Sequence, residues 1–277
     1  MSGGFVTDGR VRHGLPVAFG SGAIIGVAAG LIGVGGGEFR LPLLLYLFRG
    51  DVRIAAATNL VVGLFTVTLS FLRRIGQAMP SRESLILAGL MAGASVVGAV
   101  VGARSAHRIK SPRLLAVVIG YLLLVGVWMM VEAMLAIESP GLDPVGLVRV
   151  LLAVGLGFAI ATVSAALGVA GGEMRIPALM FLFGFGIKEA GTLSLLASIP
   201  TVAGGAVTYR GLGSLPGWAA RVALVMGLGS LLGVWLGTAV LPRIDPHLLK
   251  GLLGAILLAA TAVLIRSRRR GEAPLGK

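Results

Sequence analysis

The chain has 277 residues, of which 56% are hydrophobic and only 13% charged, with 44 glycines and no cysteine. Soluble domains carry about 25% charged residues, so this composition excludes a soluble enzyme, a disordered tail and a disulfide scaffold. The net charge, 24 − 11 = +13, would suit a nucleic-acid binder if it lay on a solvated face. Here the basic residues gather in short loops and near the C-terminus, the pattern that orients a multi-pass membrane protein, so no nucleic-acid partner is expected.

Residues 1–14, with Arg10, Arg12 and His13, read as a cytoplasmic N-terminus. Leu15 to Val34 is apolar over about 20 residues, longer than the roughly 7–15 of a signal peptide's core, and reads as a membrane helix. Gly35-Gly36-Gly37 and Glu38-Phe39-Arg40-Leu41-Pro42 follow, then Leu43 to Phe48, which is too short to span alone. Val52–Leu72, Leu85–Ala103 and Leu114–Ile137 complete a first membrane unit, 15–137. The linker 138–144 holds Glu138, Pro140, Gly141, Asp143 and Pro144, which stop the preceding helix. The second unit, 145–265, repeats the plan. Val145–Val169 leads into Gly171-Gly172-Glu173-Met174-Arg175-Ile176-Pro177 and a short Ala178–Phe185, then Lys188–Val207, Trp218–Leu241 and Leu248–Ile265. Residues 266–277 form a basic tail expected in the cytoplasm.

The two units align at one offset, 173 − 38 = 135, which pairs Gly33 with Gly168, Glu38 with Glu173, Arg40 with Arg175, Pro42 with Pro177, Thr66 with Thr201 and Gly102 with Gly237. About a third of the positions from Leu31 to Gly76 are identical to their counterparts. A duplicated chain explains so long an ungapped register. Loop charge then bears on orientation. Arg104, Arg108, Lys110 and Arg113, and Arg266 to Arg270, are the most basic sites and belong in the cytoplasm, with the acidic linker outside. If Val145–Val169 and Ala178–Phe185 form one interrupted helix, the units run parallel and one basic cluster faces outward. If together they return the chain to the side it came from, each unit crosses an odd number of times. The expected fold is therefore an all-α polytopic membrane protein of two inverted-topology repeats, with short or re-entrant half-helices at the midplane. Arg73, Arg74 and Arg82 oppose the charge rule, because this topology places them outside.

Paired, Gly/Pro-interrupted short segments point to a transporter's central site. Irregular backbone at membrane depth survives only where it is buried in protein or lines a cavity. Short helices starting near Glu38 and Glu173 would present free N–H groups to an anion, with Pro42 and Pro177 in or near their first turns. Gly36, Gly37, Gly171 and Gly172 would let the backbone approach the ligand. A charge at bilayer depth costs about 2.5–3.5 kcal/mol, so Glu38, Arg40, Glu173 and Arg175 need partners. Glu and Arg two positions apart on a helix do not face each other. Pairing across the repeats is one arrangement, Glu38 with Arg175 and Glu173 with Arg40. In that arrangement the arginines bind an oxyanion and the carboxylates balance charge or carry a proton. Structural ion bridges are the competing reading.

Asn59 and Thr66, matched by Ser194 and Thr201, stand two helical turns apart and share a face. They either line a substrate path or bond helices to one another. Gly89-Gly93, Gly98-Gly102, Gly229-Gly233 and Gly233-Gly237 read as helix-packing faces. Gly33 to Glu38 lacks the third glycine and the strand of a dinucleotide loop. His13, His107 and His247 lack a second ligand at metal spacing and read as solvated loop residues. Trp218 reads as an interfacial anchor, Glu132 as solvated, and Arg210 as snorkelling. No cofactor and no metal are expected. Ser164 has no histidine in helical reach, so no catalytic pair supports an enzyme.

Gly33-Val34-Gly35-Gly36-Gly37-Glu38-Phe39-Arg40-Leu41-Pro42 with Ala55-Ala56-Ala57-Thr58-Asn59-Leu60 resembles the first repeat of the TauE/SafE family of sulfite exporter-like permeases. Gly168-Val169-Ala170-Gly171-Gly172-Glu173-Met174-Arg175-Ile176-Pro177 with Ala190-Gly191-Thr192-Leu193-Ser194-Leu195 resembles its second, with Ala170 in place of a glycine. The resemblance covers Leu15 to Ile265. It implies a prokaryotic inner-membrane secondary transporter that moves sulfite or a related sulfur oxyanion or organosulfonate, with proton coupling as one route. A related thiosulfate-uptake branch uses reactive cysteines, which this chain does not have. The alternative is an anion channel, or a permease for a non-sulfur anion such as a carboxylate. The partners expected are a small anionic substrate and membrane lipid, and a homo-oligomer is compatible with the sequence.

Overall fold

The computed structural model describes residues 8–32, 34–48, 51–76, 79–135, 142 and 144–240, with scattered helical positions between 251 and 266. The described residues form helices α1 (Asp8–Ile32), α2 (Gly37–Leu47), α3 (Val52–Ile75), α4 (Arg82–Arg108), α5 (Ser111–Leu135), α6 (Gly146–Leu167), α7 (Gly172–Phe183), α8 (Ile187–Gly211) and α9 (Gly217–Val240). Seven of them are long and apolar enough to cross a membrane, so the chain is an all-helical, polytopic membrane protein. The expected last span, Leu248–Ile265, the linker, and the side chains of His13, Glu132 and His247 fall largely or wholly outside the described residues.

Local chemistry sets the helix ends. The Asp51 carboxylate accepts from the Ile54 N–H (3.2 Å) at the start of α3, and the Ser81 hydroxyl from the Ser84 N–H (3.1 Å) at the start of α4. The two short helices begin differently. Gly36 before α2 (φ 68°) and Gly171 before α7 (φ 81°) are left-handed and supply no side-chain cap, a conformation that favours glycine. At 11 and 12 residues, α2 and α7 are about 16–18 Å long, short of the roughly 30 Å hydrocarbon thickness. Pro42 and Pro177 lie inside these helices, at their sixth positions, rather than in the first turns. Each therefore withholds an N–H from the carbonyl four residues earlier, that of Glu38 and Glu173.

Contacts in step along the helices give their relative directions. Gly22, Gly26 and Gly30 meet Met226, Ser230 and Val234, so α1 and α9 run parallel. Gly157 meets Met91 and Gly102 meets Thr162, so α4 and α6 run parallel. Ser84 bonds Glu189 and Gly204 meets Ala99, which aligns α4 with α8. Thr66 bonds Ser230 and Arg73 bonds Thr238, which aligns α3 with α9. At the centre, Leu60 meets Gly205 and Gly63 meets Val202, so α3 and α8 are antiparallel. Hence α1, α3 and α9 run one way, and α4, α6 and α8 the other. Helices matched by the 135-residue offset (α1 with α6, α3 with α8, α4 with α9) point in opposite directions. Because α1 and α3 run the same way, α2 must carry the chain back between them; α7 does the same between α6 and α8.

Lipid offers apolar helices little hydrophobic reason to associate, so close backbone approach does much of the work. Added methyl groups at Gly98, Gly102, Gly229, Gly233 and Gly237 would strike the backbone of the facing helix, as expected for packing faces. Gly89 and Gly93 differ: nothing lies within 4 Å of a methyl placed on either. Their small-residue spacing is not a packing face among the described residues. α5 packs at Gly126 against Leu258 of the C-terminal stretch.

Candidate functional site

The two glycine breaks meet. A methyl on Gly172 would touch Val34, one on Gly37 would touch Asn59 and Val169, and one on Gly168 would land on the Ala56 backbone. The starts of α2 and α7 are thus pressed together where α3 crosses α8. Gly36, Gly37, Glu38, Arg40, Asn59, Thr66, Gly171, Gly172, Glu173, Arg175, Ser194 and Thr201 are all buried there.

Arg40 is fully buried and held by its own half. Its Nε donates to Asn59 Oδ1 (3.0 Å), Nη1 to the Thr66 hydroxyl (3.0 Å) and Nη2 to the Gly35 carbonyl (2.8 Å). The Asn59 amide donates in turn to the carbonyls of Gly37 and Gly168, each at 2.8 Å, and so bonds one break to the other. The Thr66 hydroxyl lies 3.0 Å from the Val62 carbonyl and 3.2 Å from the Ser230 hydroxyl. Arg175 repeats the plan with different partners. Its Nη1 donates to the Ser198 hydroxyl (2.7 Å) and to the carbonyls of Ser194 (3.3 Å) and Ala170 (3.4 Å), and Nη2 to the Thr201 hydroxyl (3.3 Å).

The ion pairs expected across the repeats, Glu38 with Arg175 and Glu173 with Arg40, are not formed. Both guanidinium groups donate to neutral acceptors of their own half. The i, i+2 spacing explains this, because it turns Arg40 toward α3 and Glu38 to the opposite face. There Glu38 faces Glu173 across the interface. The Tyr121 hydroxyl of α5 donates to Glu173 Oε1. Neither Glu38 oxygen, nor Glu173 Oε2, meets an N–H or hydroxyl donor. Glu38 and Glu173 thus form one buried carboxyl pair between the two halves. The centre therefore holds two guanidinium groups, each hydrogen-bonded to neutral groups, beside one carboxyl pair.

A family model described as "Sulfite exporter TauE/SafE" matches residues 5–131 and 151–276. The chain belongs to the TauE/SafE family. It is also 26% identical, over 228 residues, to the "Probable membrane transporter protein YdhB" of Bacillus subtilis (strain 168), covering 80% of this chain and 89% of that protein. No solved structure matches it. The two Gly-Gly-Glu-x-Arg-x-Pro segments of this TauE/SafE chain are the ones that pack against each other at the centre, and the protein is a membrane transporter.

Several residues of this TauE/SafE core escape a motif reading. Ser198 lies between Ser194 and Thr201 on the same helical face, a spacing that could have revealed it. Ser230 matches Ser95 at the repeat offset. Ser95 bonds the Met91 and Gly157 carbonyls, so this pair was visible as a repeat. Tyr121 has Ile256 as its counterpart, so the repeat gave no signal for it. Arg74, counted as an outward charge, is buried and donates to the Gly30 (3.2 Å) and Leu31 (3.0 Å) carbonyls at the end of α1. Its counterpart Tyr209 donates to Ala166, the counterpart of Leu31 (3.1 Å). Arg73 bonds Thr238 and lies over the Trp235 ring. These cations serve α1 and α9, which is why they could break the loop rule. His107 likewise is no free loop residue: its Nε2 lies 2.9 Å from the Ser214 hydroxyl. Trp218 packs edge-on against Phe48 at 5.1 Å.

Proposed function

We propose that the protein is a secondary transporter that moves a small oxyanion, sulfite or a related sulfur oxyanion or organosulfonate, across the inner membrane. The observation that carries this reading is the pair of fully buried arginines, Arg40 and Arg175, held by neutral acceptors at the meeting of two helix starts. A desolvated guanidinium with no bonded carboxylate attracts an anion strongly, and the helix starts add to that field. The sulfur chemistry rests on the family description.

Proton coupling is part of the proposal, and the charge of the centre supports it. With one proton on the Glu38–Glu173 pair the centre carries 2 − 1 = +1, which one monovalent anion neutralises. Loss of that proton brings the centre to zero and releases the anion. Anion and proton then bind cooperatively. The antiparallel relation of α3 to α8 supports reading the halves as repeats inverted across the membrane, so that each side presents the same elements to the site. The concentration of Arg104, Arg108, Lys110 and Arg113 at the end of α4 supports placing that end in the cytoplasm, and with it both termini.

The test is anion flux in proteoliposomes, with and without a pH gradient, for wild type, Arg40→Gln and Arg175→Gln. Sulfite or a sulfonate should move, faster with the gradient, and either substitution should lower flux at least about tenfold. Flux unchanged in variants that still fold would overturn the arginine role. No movement of any sulfur anion would overturn the substrate assignment. Rates independent of the pH gradient would remove proton coupling.

A further inference from the structure

The two halves of the centre are not equivalent, and the difference lies at one matched pair, Asn59 and Ser194. In the first half, the Asn59 carboxamide bonds Arg40 Nε and two backbone carbonyls. In the second half serine lacks that carboxamide. Arg175 Nε and the Ser194 hydroxyl are then both fully buried, and neither has a hydrogen-bond partner within the protein. Arg175 is placed against Ser194 by the bond from Nη1 to the Ser194 carbonyl. It is otherwise anchored like Arg40, through Thr201 as Arg40 is through Thr66, and through Ala170 as Arg40 is through Gly35.

Buried donors without partners are costly, by about 1–3 kcal/mol each and more when charged, so a duplicated protein that satisfies Arg40 and leaves Arg175 unsatisfied needs a reason. We propose that Arg175 Nε and the Ser194 hydroxyl form the binding subsite for an oxygen of the transported oxyanion, in the place that the Asn59 carboxamide oxygen holds beside Arg40. Arg40 is then a structural cation that fixes the central fold and sets its field, and Arg175 is the arginine that touches the ligand. The inference rests on the anion-transport reading above and narrows it to one half of the pseudo-symmetric core. The chemistry it demands is specific. The ligand must present an acceptor oxygen to a guanidinium N–H and a hydroxyl at once, as a sulfite, sulfonate, sulfate or carboxylate oxygen does. Ser198 is already engaged, receiving from Arg175 and lying 3.2 Å from the Ala170 carbonyl, and so acts as the rear support of the guanidinium.

Ser194→Asn tests this directly, because it gives the second half the internal partner that the first half already has. Binding is measured by titration calorimetry on the detergent-solubilised protein with sulfite, sulfate, thiosulfate, methanesulfonate, phosphate, formate and acetate, alongside the thermal unfolding midpoint. The expected result is affinity for the bound anion weakened about tenfold or more, with an unfolding midpoint equal to or above that of wild type. Ser194→Ala, which removes only the hydroxyl, should weaken affinity about two- to tenfold and guards against failure of the larger side chain to fit. Wild-type affinity in both variants would show that these donors meet only water, and would overturn the inference while leaving the anion-transport reading in place. Binding of formate or acetate alone, lost in Ser194→Asn, would uphold the subsite and overturn the sulfur substrate. If no anion of the panel binds wild type, subsite and reading fall together.

Discussion

Among the described residues, Asn59 is the side chain that bonds both glycine breaks, and its removal has a calculable cost. Asn59→Ala deletes one hydrogen bond from a guanidinium at 3.0 Å and two amide-to-carbonyl bonds at 2.8 Å, one of them to Gly168 in the other half. Polar bonds between membrane helices average about 0.6 kcal/mol and reach about 1.7. Taking the average for the two neutral bonds and the upper value for the charged one gives about 3 kcal/mol, or roughly a hundredfold in the folding equilibrium. Ser194→Ala removes a hydroxyl without a partner and should cost under about 0.5 kcal/mol by the same reasoning. The comparison is made by reversible unfolding of each variant in bicelles. Asn59→Asp sharpens it, because a carboxylate keeps the arginine bond but sets its second oxygen against the Gly37 and Gly168 carbonyls, so stability should again fall. Equal stability of Asn59→Ala and Ser194→Ala, or a loss below about 1 kcal/mol for the former, would refute the claim that Asn59 ties the halves together.

Gly168→Ala should abolish a monodisperse folded species in size-exclusion chromatography. Its methyl would land on the Ala56 backbone at a φ of 77° that disfavours any side chain. Gly89→Ala, which meets nothing within 4 Å, should elute as wild type. Arg74→Met removes charged bonds to the Gly30 and Leu31 carbonyls and should destabilise by about 1.5–3 kcal/mol, whereas Tyr209→Phe, losing one neutral bond, should cost about 0.6 kcal/mol; chemical denaturation ranks the two. Glu38→Gln and Glu173→Gln should each leave anion flux running while removing its acceleration by a pH gradient, read with a pH-sensitive dye trapped in the liposomes. Retained acceleration in both would show that the proton travels elsewhere.

Much of the core was visible in the residues themselves, because duplication writes a structural equivalence as a numerical offset. The 135-residue register matched Glu38, Arg40 and Pro42 with their counterparts, and the structure packs those segments together. Spacing predicted that Asn59 and Thr66 share a face, and both reach Arg40. The partners of the charges were harder to read. An i, i+2 separation states that Glu38 and Arg40 diverge, but not which goes to α3 and which to the pseudo-axis. That choice depends on α3 lying against α2 in the same half, a tertiary relation with no local signature. The breaks are legible: the glycines are expected to let the chain turn, and left-handed Gly36 and Gly171 do so, while Pro42 and Pro177 lie one turn further into the helices than expected.

The loop charges show where a rule of composition gives way to structure. The positive-inside pattern counts cations that water and lipid headgroups can solvate. Arg74 is not among them, because its guanidinium fills the open carbonyls at the end of α1. A helix that ends within the protein leaves carbonyls that need donors, and a cation also offsets the negative end of the helix dipole. The counterpart end, that of α6, gets a neutral donor from Tyr209 and a left-handed Gly168. The same geometric demand is thus met by a charge in one half and by a hydroxyl in the other. The exchange of Asn59 for Ser194 follows the same logic with the opposite result, since there the second half leaves its donors without a partner. Duplicated folds can keep their helix ends satisfied by different chemistry; on the proposal above, the orphaned donors of Arg175 and Ser194, beside a satisfied Arg40, mark where the ligand rather than the protein supplies the acceptor.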